Sequence, residues 1–286
     1  MEGRSEMEKI EELSPPRAKY LSHREVFVDR FALVLREPLR SEYIARINRE
    51  TRRDLNEGLD GVLRWQGIEP KKLDPDFKET DLDHEVECVS WCNEVEDGYP
   101  SLKKAVSKGR EEEWNNLPLI MMVHDVGEIF TDDLPVSSLL RKTAAGQKQK
   151  RKEGKIAYRL LKHVKPEDVS LRLIELYKRY DRREPSDILV NFGHFIDKAQ
   201  ADGNAATHLV PFNRDKYNAE SLISTECHGI SYAEKAAALI SDPKARKELA
   251  ALIEDKVIRK YDAVLLPADG HIQELVRNRV RKNIIK

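Results

Sequence analysis

With 286 residues, 35% of them charged and 40% apolar, the chain is long enough for one large domain or one domain with appendages, and its composition is that of a soluble, helix-rich protein. A formal net charge of −1 leaves no global field to favour nucleic acid or an anionic membrane. No apolar run approaches the roughly 18 residues of a membrane helix, the charged start "MEGRSEMEKIEELSPP" lacks the apolar core of a signal peptide, and Cys88, Cys92 and Cys227 are too few for a disulfide framework; an intracellular, cytoplasmic protein is expected.

Residues 1–22 read as a loosely attached arm punctuated by Pro15 and Pro16. "REVFVDRFALVL" fits neither helix nor strand periodicity cleanly, and Pro38 ends it. From Ser41, the residues Ile44, Ile47, Thr51, Leu55, Leu59 and Val62 recur at steps of three and four, which predicts a long amphipathic helix. Gly67, Pro70 and Pro75 then mark a loop. Helical patterning resumes near Leu82, runs through Val86, Val89 and Val95, and closes at "EDGYP". Cys88 and Cys92 share a face of this segment with His84. The stripe suggests zinc, but no second cysteine pair completes a four-ligand set, and buried core cysteines are the expectation. "EEEWNNLPLIMMVHDVGEIF" predicts one helix, with acidic residues at the positive end of its dipole and a buried apolar centre. The lysine-rich "RKTAAGQKQKRKEGK" is expected to precede a helix at "IAYRLLKHV". Further helices are expected at "LRLIELYKRY", "DILVNFGHFIDKAQA" (capped by Asp187), "SYAEKAAALI", "PKARKELAALIEDKVIRKY" and "HIQELVRNRV". With no series of alternating strands, no internal repeat and no Gly-rich phosphate loop, the chain reads as all-α.

The stretch "MMVHDVGEIFTDDLP", Met121 to Pro135, concentrates one imidazole and four carboxylates behind an apolar run. On a continuous helix His124 and Glu128 are four apart and Asp125 and Glu128 three apart, so all three converge on one side. The apolar run places that convergence in the interior. Ionised carboxylates there cost several kcal/mol unless they are paired, and a divalent cation is the largest local charge that could offset them. Buried basic partners, or a solvated acidic helix end, are the alternatives.

"HDVGEIFTDDLP" resembles the signature of the HD-domain metal-dependent phosphohydrolases, and among them most the bacterial 5′-deoxynucleotidases. Those carry an HD pair, a Glu three residues after the Asp, and a Gly-Asp-Leu-Pro-like segment. The resemblance covers about residues 60–205. It implies an all-α HD-domain helical bundle over 41–205, an N-terminal arm over 1–40, and a C-terminal helical extension over 206–286 packed on the core. It implies a divalent metal held by His84, His124, Asp125 and Asp197; His194, three residues before Asp197, is the competing candidate, and Asp187 reads as the helix cap. Two imidazoles and two carboxylates suit Mn, Co, Fe, Ni or Zn better than Mg or Ca.

The same resemblance gives Glu128 the task of orienting or deprotonating the attacking water, and Asp133 a contact with the substrate and the role of general acid at the 5′-oxygen. Asp132 stands where the family has Gly, which leaves open which of the two aspartates faces the sugar. Arg64 and Trp65 in "VLRWQG" match the family's Arg-Trp pair, Arg for phosphate and Trp for sugar or base. The expected function is removal of phosphate from (deoxy)nucleoside 5′-monophosphates by a water held at the metal. The rivals are a nucleoside triphosphate or pyrophosphate hydrolase on the same scaffold and a nucleotide-sensing HD module without turnover.

A nucleotide substrate and, by analogy, a homodimer are the expected partners; a membrane and nucleic acid are not. The basic run Lys142, Lys148, Lys150, Arg151, Lys152 and Lys155 reads as a solvated helix start, or as a positive rim that draws phosphate. "VRNRVRKNIIK" reads as an amphipathic terminal helix without aromatic platforms for stacking.

Overall fold

Side-chain caps set where several helices of this computed structural model begin. It describes residues 30–47, 58–60, 64, 77–130, 143–209, 211, 219–264 and 270–286. Helix α1 is Arg30–Val34. Helix α2, Asp81–Gly98, starts from a capping box: Thr80 accepts from the Asp83 amide while the Asp83 carboxylate takes the Thr80 amide. Then follow α3, Pro100–Val106, and α4, Glu111–Val123. Helix α5, Ala144–Lys162, is capped by Thr143, whose hydroxyl accepts from the Gly146 amide. Helix α6, Glu167–Arg182, stops at Arg183 in the left-handed conformation. Helix α7, Ile188–His208, is capped by Asp187 as expected. Helices α8, Ala219–Leu239, α9, Pro243–Ile253, and α10, Gly270–Val280, follow, with a single helical turn at Arg259–Asp262 between the last two.

The fold is all-α, with no strand among the described residues. No helix among them is long and apolar enough to cross a membrane.

Three expectations need correction. From Ala144 the lysine-rich stretch does not precede a helix but forms the first half of α5, because Ala, Gln, Lys, Arg and Glu are strong helix formers once Thr143 has capped the start; Arg141 and Lys142 lie outside the described residues. The long helix expected from Ser41 is interrupted early. A wide helical turn at Arg40–Ile44 gives way to a bend at Ile47, where Ile44 and Ile47 are both already buried in the core; most of the remaining stretch lies outside the described residues. Third, "EEEWNNLPLIMMVHDVGEIF" is not one helix, for a reason that belongs to the site below.

Helix α7 is the central element, packing against α2, α4, α6 and α8. Its Phe192, Phe195 and Ile196 are fully buried, along with Trp114, Leu117 and Ile120 of α4. The tail joins the same core: α8 lies along α7 and against α10, α9 lies against α3, and one apolar cluster runs from Phe31 to Ile284.

The approach of α8 to α7 depends on Gly229. Its amide donates to Asp202 Oδ2 at 2.8 Å, and a Cβ there would lie 2.9 Å from the Ala199 amide nitrogen. Backbone cannot yield as a side-chain tip can. Gly229→Ala is therefore expected to cost about 1–3 kcal/mol and to lower the melting temperature by several degrees, read by thermal denaturation. An unchanged melting temperature would show that α8 can shift away freely.

Candidate metal centre

Helix α4 ends at Val123 because its next hydrogen bond is diverted. The Asp125 amide would pair with the Met121 carbonyl in a continuing helix. Instead it donates to Glu85 Oε1 of α2 at 3.2 Å, and the Met121 carbonyl accepts from His124 Nδ1 at 3.0 Å. The chain then tightens into a 3-10 turn over Val126–Phe130, with the Glu128 amide on the Asp125 carbonyl at 2.8 Å. The turn rests on α5 at Gly127, where a Cβ would meet the Glu153 carbonyl oxygen at 2.6 Å. Convergence of His124, Asp125 and Glu128 thus comes from a helix end and a tight turn, not from one helical face.

This break brings His124 and Asp125 up to His84 of α2 and Asp197 of α7. His124 Nε2 lies 3.3 Å from His84 Nε2 and 3.2 Å from Asp125 Oδ2. His84 Nε2 lies 3.4 Å from Asp197 Oδ1 and 3.7 Å from Asp125 Oδ2. His124 Nε2 to Asp197 Oδ1 is 3.8 Å. The four expected residues therefore meet, and His84, His124 and Asp197 form a buried group that could hold a metal ion. Asp125 keeps 15% of its side-chain surface against 0% for His84, 1% for His124 and 4% for Asp197, so among the described residues it marks the open side.

Hydrogen bonds behind the four groups decide their chemistry. His84 Nδ1 faces Gln200 Oε1. The Gln200 amide is itself oriented, because its nitrogen donates to Glu79 Oε1 at 2.9 Å and Glu87 Oε2 at 2.6 Å. Each histidine thus has a carbonyl acceptor at Nδ1, which puts the proton there and the lone pair on Nε2. Two such lone pairs 3.3 Å apart, next to two carboxylates, repel one another unless a cation lies between them. A ring N–H held by a carbonyl behind an inward Nε2 is the usual support of a metal-binding histidine. Asp197 Oδ2 accepts from the Tyr180 hydroxyl at 2.8 Å, and Lys198 Nζ lies at 2.8 Å from the same oxygen.

The electrostatics of the group surround His124 with two ionised carboxylates and favour its protonated form, so a proton and a metal ion compete for its Nε2. Burial pushes Asp197 towards its neutral form, but Lys198, His84 and His124 together hold it well below the usual carboxylate range. Burial likewise opposes ionisation of Asp125, and His124 overrides it. The same pairing, against the opposing effect of burial, raises His124.

A second carboxylate group adjoins the first. Asp81, Asp125 and Glu128 each offer an oxygen within 4.8 Å of the others. Arg64 reaches the edge of this group, with Nη1 at 3.3 Å from Asp125 Oδ2 and 3.6 Å from Asp81 Oδ1. Glu85 is completely buried and is pushed well above the usual range, first by burial and then by Asp125 and Asp81. Trp65, Asp132 and Asp133 lie outside the described residues.

Sequence reasoning missed Glu85, Asp81, Tyr180, Lys198 and Gln200. Gln200 lies three residues beyond Asp197 on one helix face, Lys198 adjoins Asp197, and Glu85 adjoins His84, so proximity to the expected ligands could have found them. Nothing in the sequence marks Tyr180, which arrives from α6. His194 is not a member of the group. It is buried between Tyr180 and Tyr232, at ring-centroid distances of 4.0 and 5.1 Å. Cys88 and Cys92 are fully buried, with Cys88 Sγ 3.8 Å from His84 Nε2.

Comparisons of the chain with protein-family models, with curated proteins and with solved structures give no match.

Proposed function

We propose that this chain is a metal-dependent phosphohydrolase of the HD type that removes phosphate from (deoxy)nucleoside 5′-monophosphates. The observation that carries the reading is the pair of inward Nε2 atoms of His84 and His124, their rings held by Gln200 and the Met121 carbonyl, facing Asp125 and Asp197. The mixed nitrogen and oxygen donors fit Mn, Co, Fe, Ni or Zn. Such an ion, when bound, lowers the pKa of a water ligand and polarises a phosphoryl oxygen.

The chain's own residues supply the rest. Arg64, beside Asp125 at the open side, holds the phosphate by charge-assisted hydrogen bonds. Glu128, on the turn after Asp125, accepts a proton from the attacking water. Asp133 at the leaving oxygen and Trp65 at the sugar rest on the family resemblance. A cytoplasmic setting and a homodimer belong to the same proposal.

Phosphate release from a panel of dNMPs, rNMPs and dNTPs, with Mn²⁺ or Co²⁺, tests it. Release from monophosphates, lost on chelation, is expected. Release from triphosphates alone would move the substrate class, and no release from any substrate by metal-loaded protein would overturn the enzyme reading.

A further inference from the structure

Residues 148–165 carry eight lysines and arginines against one acid, Glu153, in a chain whose net charge is −1. On α5 these cations face one another. Lys148 and Lys152, Arg151 and Lys155, and Lys155 and Arg159 are like-charged pairs four apart, a spacing that costs a helix a few tenths of a kcal/mol each. An ordinary solvated helix would alternate them with glutamates. Six of the eight, Lys150, Arg151, Lys155, Arg159, Lys162 and Lys165, border a cleft of about 820 Å³ between α5 and α6, and that lining includes none of His84, His124, Asp125, Asp197 or Arg64.

The cleft is not uniformly charged. Its floor is made of Leu161, Ile174 and Tyr177, all buried. Tyr158 stands at the rim, 41% exposed, with Lys178 Nζ 4.8 Å from its ring centroid. Asp181 is the one acid in the lining, and Lys150 Nζ lies 4.0 Å from it across the two helices. A cationic rim over an apolar, aromatic floor fits a ligand with a multiply charged anionic part and a flat apolar part. The volume is that of a site for a compact molecule. A single exposed aromatic, in a cleft bounded by two helices, does not offer the row of stacking platforms that a nucleic acid strand uses.

We propose that the cleft between α5 and α6 binds a compact polyphosphorylated ligand of the nucleoside triphosphate class, its phosphates on Arg151, Lys155 and Arg159 and its base against Tyr158. This site is separate from the metal centre. Its test needs neither metal nor turnover, so its outcome is independent of the phosphohydrolase reading.

Isothermal titration of the full chain in EDTA with ATP, GTP, inorganic tripolyphosphate and adenosine provides the test. ATP or GTP is expected to bind and adenosine not to. The combined variant Arg151→Glu, Lys155→Glu, Arg159→Glu, at exposed positions, is expected to weaken triphosphate binding by about tenfold or more with an unchanged circular dichroism spectrum. Tyr158→Ala is expected to weaken ATP several-fold while leaving tripolyphosphate unaffected, and Asp125→Asn to change neither. Absence of nucleotide binding, or binding that the combined variant does not weaken, overturns the proposal. So does tighter binding of a short single-stranded oligonucleotide, or of phosphatidylserine vesicles, lost in that same variant.

Discussion

Asp125→Asn is expected to abolish tight Mn²⁺ or Co²⁺ binding and, under the proposed function, to reduce phosphate release by about three orders of magnitude or more. Asp125 Oδ2 lies 3.2 Å from His124 Nε2 and 3.7 Å from His84 Nε2, so an amide in its place removes a negative charge from the middle of the donor set. The metal-free fold is expected to tolerate the change. Asp81, Asp125 and Glu128 crowd together with Glu85 buried beside them, and removing one charge relieves their mutual repulsion.

Thermal denaturation separates the two effects. Metal raises the wild-type melting temperature in proportion to the logarithm of its excess over Kd. The variant is expected to match or exceed the metal-free wild type and to gain nothing from metal. A variant that still loads metal and releases phosphate normally would remove Asp125 from the centre. Because Asp125 and Asp197 raise the His124 pKa in spite of its burial, a proton competes with the metal there. Loading of the wild type should weaken as the pH falls through that raised value.

The second large effect is acid sensitivity set by His194. The ring is 1% exposed, and neither nitrogen has a hydrogen-bond partner among the described residues. Burial lowers its pKa to about 3, against the opposing pull of Asp197. In the unfolded chain the imidazole returns to about 6.5. Between those values the unfolded state binds the extra proton, so the stabilising contribution is present above about pH 6.5 and is lost as the pH falls towards about 3. Each unit of that interval is worth about 1.4 kcal/mol, a total of several kcal/mol at most. His194→Phe, which keeps the ring contacts with Tyr180 and Tyr232, is expected to flatten the fall in stability between about pH 7 and pH 4. Denaturant unfolding across that range measures it. Parallel acid limbs for wild type and variant would show that His194 is not the group responsible.

Helix existence was legible in the sequence wherever apolar residues recur at three and four and a cap precedes them, as at Asp187 before α7. It failed where two local signals compete. The lysines of α5 resemble a loop by charge but are helix formers by propensity. "MMVHDVGEIF" has helical spacing throughout, yet the Met121 carbonyl is taken by the ring of His124 and the Asp125 amide by Glu85. The partner of that amide lies 40 positions away in sequence, beyond the reach of any local pattern.

For the centre, spacing and residue type singled out His124, Asp125 and Glu128, because imidazole and carboxylate behind a buried apolar run need a charged partner, and the family resemblance supplied His84 and Asp197 as the remaining ligands. The sequence by itself determined which donors were available, and that the chain would bury them among helices. Only the tertiary structure decided that the Nε2 atoms face inward. That choice belongs to Gln200 on α7 and to a main-chain carbonyl at the end of α4, and it is made through hydrogen bonds that exist only once α2, α4 and α7 are packed together. The tertiary structure also decided that Tyr180 and Lys198 hold Asp197, and that the exposed Arg151, Lys155 and Arg159 of α5 border a cleft with α6. Packing sets which atoms meet, and the electrostatics of both sites follow from those meetings.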